Sequence, residues 1–102
     1  MSIELEIFEI NFDEKYRQHG HTVTLTQIGN SIYDSNLIEN LEEISRQNYW
    51  YLEGECGFMG ELLGKDIRSA IKSHKNLLEP VNVKLITENL SDDEFYRIQV
   101  SY

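Results

Sequence analysis

Residues 59–75 read MGELLGKDIRSAIKSHK, and the assignment of this stretch decides the fold. Met59, Leu62, Leu63, Ile67, Ala70 and Ile71 recur at the three- and four-residue spacing of one helix face. The spacing predicts a helix over 59–75 with these side chains inward. Gly64 weakens such a helix by about 1 kcal/mol against Ala, which suggests close packing there. Lys65, Arg68, Lys72 and Lys75 form a basic stripe along the same helix. Its place in the C-terminal half suits the helix dipole and reads as a solvated face.

Downstream, the one proline, Pro80, precedes the run VNVKLIT at 81–87, which predicts a strand. SDDE at 91–94 predicts a turn, and FYRIQVSY at 95–102 a last strand. Tyr96, Ile98, Val100 and Tyr102 share one face of it, so the chain would end in a hairpin.

Upstream, YWYLE at 49–53 predicts a short aromatic strand. Before it, Leu37, Ile38, Leu41 and Ile44 give the stripe of an amphipathic helix. That helix is expected to begin near Asn36, with Glu39 completing a capping box. Residues 3–10 alternate as a half-buried strand, with Ile3, Leu5 and Ile7 on one face. Phe8, Ile10 and Phe12 then carry the apolar pattern in the other phase, which predicts a bulge or strand end near Ile7. Asp13 to Gly20 is polar and reads as a turn or short helical piece, and HTVTLTQI at 21–28 as a second strand. The expected order is β-β-α-β-α-β-β. This is a single α+β domain over residues 1–102, with a largely antiparallel sheet and two helices packed on it.

Composition narrows the class of protein. The chain has 102 residues and is 40% hydrophobic, enough for one core but too short to add a large buried cleft. Its 18 Asp and Glu against 9 Lys and Arg give a net charge of −9. Such a surface repels nucleic acid and draws in basic partners. One cysteine rules out an internal disulfide and fits a reducing compartment. The acidic N-terminus lacks the basic region and apolar run of a signal peptide. No stretch reaches the ~18 to 20 apolar residues of a membrane helix. The expected location is therefore cytoplasmic.

Few residues invite chemistry. His19 and His21, two residues apart, would share a face of a strand, but zinc needs further ligands, and a polar turn accounts for them. Cys56 lies between acidic neighbours that disfavour a thiolate, so a buried structural thiol is expected. The glycines at 54, 57, 60 and 64 match no phosphate-binding spacing and read as turn glycines. No catalytic residue, metal site or cofactor is expected.

The carboxylates cluster on the first helix (Glu39, Glu42, Glu43), after the aromatic strand (Glu53, Glu55) and around the last turn (Glu88, Asp92, Asp93, Glu94). Glu39 and Glu43 are four residues apart and repel each other. Tyr33, Tyr49, Trp50 and Tyr51 bracket the acidic helix in sequence. In a strand, Tyr49 and Tyr51 share a face and Trp50 takes the other; one face must be core. Aromatic anchors among carboxylates fit a cationic protein partner. The candidate partner-binding residues are Tyr33, Asp34, Glu39, Glu42, Glu43, Tyr49, Tyr51, Glu53 and Glu55.

In general type the chain resembles the small acidic immunity proteins that bacteria pair with secreted or contact-delivered toxins, often basic nucleases. Size, charge, the single-domain α+β pattern and the lack of a catalytic signature carry this resemblance over the whole chain. No residue correspondence comes with it. It implies a non-enzymatic inhibitor that binds a basic toxin domain, without direct contact with nucleic acid or membrane, as a monomer or weak homo-oligomer. Two other readings stand beside it: a structural or regulatory interaction module whose acidity serves solubility, and a nucleic-acid-mimicking anti-defence protein. An enzyme would need His19, His21 and His74.

Overall fold

The computed structural model describes residues 3–12 and 23–102. The order is β1 (Glu4–Phe12), β2 (Val23–Gln27), α1 (Ser35–Asn48), β3 (Tyr51–Gly54), β4 (Gly57–Leu63), α2 (Gly64–His74), α3 (Pro80–Glu88) and β5 (Phe95–Ser101). A single 3₁₀ turn at Lys75–Leu77 joins α2 to α3. The strands form one antiparallel sheet in the order β2-β1-β5-β4-β3. The α+β class is as expected, but among the described residues three α-helices replace two and the element order is β-β-α-β-β-α-α-β; the polar stretch Asp13 to Gly20 lies outside the described residues.

Two assignments change. The stretch 59–75 divides at Gly64 into strand and helix. Phe58, Gly60 and Leu62 point inward while Met59, Glu61 and Leu63 point outward, which is the two-residue period of a strand. A helix through Gly60 would lose about 1 kcal/mol there against Ala. As a strand, β4 forms ladders with both β3 and β5. The expected strand at 81–87 is instead helix α3, opened by Pro80 in its first turn. Its buried residues, Asn82 and Ile86, are four apart. No C-terminal hairpin forms; β5 enters the middle of the sheet between β1 and β4.

The phase change in β1 needs no bulge. Its pairing runs without a step from Glu4–Ser101 to Glu9–Tyr96, and from Phe8–Gln27 to Phe12–Val23. Phe8 and Ile10 therefore lie on the sheet face opposite Leu5 and Ile7.

The core lies between the helices and one face of the sheet. Leu5 and Ile7, Ile98 and Val100, and Phe58 and Leu62 meet Leu37, Leu41, Ile67 and Ile71. Each such side chain contributes about 1.5–3 kcal/mol by leaving water. Buried Ser45 joins α1 to the sheet: its hydroxyl donates to the Trp50 carbonyl at 2.7 Å and fills the space over Gly60, where a Cβ would collide with it. Past β2, Asn82 of α3 mimics a strand. Its Oδ1 accepts from the Asn30 amide at 2.6 Å and its Nδ2 donates to the Asn30 carbonyl at 2.9 Å. Gly29 beside it has φ +66°, a left-handed conformation that favours glycine.

Candidate partner-binding surface

Helix α1 is capped by Asp34, whose carboxylate accepts from the Leu37 amide at 2.9 Å. The cap thus falls two residues before the expected Asn36, and Asp34 has a structural role. Leu37, Ile38, Leu41 and Ser45 turn inward. Glu39 and Glu43 are left exposed, with Glu42 half-buried between them.

Glu42 points towards β3. It accepts a 2.6 Å hydrogen bond from the Tyr51 hydroxyl and pairs with Arg46 at 3.3 Å. Arg46 also donates to the Tyr51 hydroxyl at 3.2 Å and lies 4.9 Å from the centre of its ring. Tyr51 packs on Phe58, with ring centres 5.4 Å apart. Burial, then the hydrogen bond to Glu42, raise the Tyr51 phenol above its ordinary pKa, and Glu53 adds to the effect. Tyr102 is raised by burial first and then by Glu42 and Glu53. Its amide donates to the Cys56 carbonyl at 3.0 Å, which anchors the last residue beside the β3–β4 hairpin. Carboxylates of α1 and β3 therefore act on the same two tyrosines. Arg46, the cation at their centre, is already engaged by Glu42 and Tyr51.

Of the residues singled out in the sequence, Glu42, Tyr51 and Glu53 gather here, while Glu39 and Glu43 stand exposed on the same helix. Tyr33 and Asp34 lie at the other end of α1 on a groove of about 360 Å³ shared with Leu77, Asn82 and Val83. Tyr33 is 63% exposed there. Glu55 sits with Cys56 in the exposed turn between β3 and β4. Tyr49 faces α2: its hydroxyl donates to Asp66 at 2.5 Å, and its ring meets the edge of Phe95. The bond to Asp66 is the main cause of its raised pKa. Tyr49 and Tyr51 are thus half-buried and pack against the core, whereas Tyr33 projects into solvent.

Sequence reasoning missed Arg46 and Tyr102. Arg46 is four residues from Glu42, a spacing that signals a helical ion pair; Tyr102 carries no local signal. Cys56 is exposed, not buried as expected, because it occupies the tip of a hairpin. Arg68 leaves the basic stripe to bind Asp92 at 3.1 Å and the Leu90 carbonyl at 2.7 Å, holding α2 to the loop before β5. His19 and His21 lie outside the described residues. Among the described residues, no group of three or more His, Cys, Asp or Glu is placed to hold a metal, and no helix is long and apolar enough to cross a membrane.

Among the described residues, nothing covers the face of the sheet away from the helices. Directly paired residues share a face, which puts Leu52, Met59, Phe95 and Phe8 on it along with Glu61, Arg97 and Gln99. Arg97 pairs with Glu61 at 2.9 Å and lies 5.0 Å from the Trp50 ring centre.

Comparison with protein-family models, curated proteins and solved structures found no match to this chain.

Proposed function

We propose that this chain is a non-enzymatic inhibitor of the immunity type, which binds a basic toxin domain, a nuclease in the simplest case, in the cytosol. The observation that carries this reading is the convergence of α1 and β3 carboxylates around Tyr51 and Tyr102, with the central cation Arg46 already paired. Lys and Arg that grip phosphates in a nuclease would meet Glu39, Glu43 and Glu53 instead. Long-range attraction from the net charge of −9 speeds encounter. Exposed parts of the aromatic rings then slow dissociation.

The test is capture from a lysate of the source cell at low and moderate salt, followed by kinetics with the purified partner. A dominant basic protein should be retained stoichiometrically, and its activity should fall on binding. In E39K/E42K/E43K, association should slow by about tenfold or more at low salt, with a weaker effect on dissociation. Unchanged association and inhibition would remove α1 from the interface. The absence of any partner at either salt would undercut the inhibitor reading itself.

A further inference from the structure

Among the described residues nothing covers this sheet face, yet beside the polar side chains usual on an uncovered side, such as Arg97 and Gln99 on β5, it carries large apolar ones. Here β1 presents Phe8 and Ile10, β3 Leu52, and β4 Met59, with Phe95 and Trp50 beside them. Trp50, Leu52 and Phe95 are 42%, 51% and 50% exposed. A sheet with large apolar side chains on both faces buries the second set when another helix packs on it. The charges say which helix. Glu4, Glu6 and Glu61 point to this side, while the cation Arg97 is held by Glu61 and Trp50. At the end of the face, a hollow of about 560 Å³ opens between Ile10 and Phe95, and its walls include Glu9, Glu61 and Glu94. Apolar floor and acidic hollow together match a segment with an apolar stripe flanked by Lys or Arg. A second copy fits poorly, because it would set these carboxylates against their own counterparts.

We infer that the open sheet face docks an amphipathic basic helix of a protein partner, a surface separate from the α1 patch. The inference rests on the reading of the chain as a binder of a basic protein. Five strands span about 20 Å, which a helix of about 14 residues crosses.

Trp50 is the single tryptophan of the chain, so its emission reports on this face. The probe is a Leu/Lys peptide of about 14 residues patterned as an amphipathic helix, titrated into the full chain at about 0.15 M salt. A scrambled peptide of the same composition serves as control. Binding of the patterned peptide should shift Trp50 emission to the blue, and the scrambled one should bind more weakly. Affinity should fall by about tenfold or more in L52S/F95S and by a smaller factor in E39K/E42K/E43K. If L52S/F95S fails to fold, Leu52→Ser alone replaces it.

No shift, equal binding of the two peptides, or a larger loss from the α1 variant would overturn the inference. So would a blue shift on concentrating the protein alone, which would assign the face to a second copy. Loss of the α1 effect on partner capture, with the peptide result intact, would sink only the α1 surface. The reverse outcome would sink only this one.

Discussion

Tyr51 holds its phenol between the Glu42 carboxylate and the Arg46 guanidinium, and Tyr49 holds its own against Asp66. Both have pKa values above the ordinary tyrosine value, near 10 in an unfolded chain. Deprotonation therefore favours the unfolded state first. The stabilisation is fully present below about pH 10 and is lost as pH rises through the folded-state values. Thermal midpoints should hold steady up to about pH 9 and fall above about pH 10. The fall should be shallower in Y49F/Y51F. Parallel curves for the two proteins would show that these phenols do not govern the alkaline limit. A strand over 49–53 puts Tyr49 and Tyr51 on one face, and both do pack on the core, but β3 begins only at Tyr51 and Tyr49 is the C-cap of α1. The partners of Tyr49, Trp50 and Tyr51 were not readable, because Glu42, Asp66 and Arg97 reach them only through the tertiary fold.

Elements were legible where spacing and local chemistry agreed. The stripe of α1, the first part of β1 and the alternation of β5 are present much as the pattern predicts. The stretch 59–63 was ambiguous because Met59, Leu62 and Leu63 satisfy a helical face as well as a strand. Pairing on both edges, and the close approach of Ser45 over Gly60, decide for β4. In 81–87 the β-branched residues suggest a strand, but Pro80 and the Asn82–Ile86 spacing win once Asn82 can bond the Asn30 backbone. That pair of bonds should matter to stability. Asn82→Ala should cost about 1–3 kcal/mol in urea unfolding, because it strips partners from a sheltered amide and carbonyl. Val81→Ala, on the exposed side of α3, should stay within about 0.5 kcal/mol. Equal effects of the two would deny α3 its role in fixing the chain after β2.

For the molecule as a whole, charge works against the compact state. The net charge of −9 is spread over a small body, and Glu39 and Glu43 face solvent on the same helix. Salt shortens the reach of this repulsion from about 30 Å at 0.01 M to about 8 Å at 0.15 M. The melting temperature should therefore rise by several degrees between these NaCl concentrations, about 4–8 °C for each kcal/mol recovered. A flat or falling midpoint would mean that ion pairs such as Arg97–Glu61 outweigh the repulsion. In the proposed function the same charge would select a basic partner, since the α1 patch and the sheet hollow are both acidic.

The sequence by itself determined the α+β class, the acidity and the residues able to form an acidic helix face. These follow from composition and from periodicities that each segment carries locally. Only the tertiary structure decided that residues 57–63 are a strand, that β5 lies at the centre of the sheet and that Glu42 shares Tyr51 with Arg46. It also decided which of the apolar residues stay uncovered. Each of these depends on contacts between residues far apart in the chain, where burial and pairing override local preference.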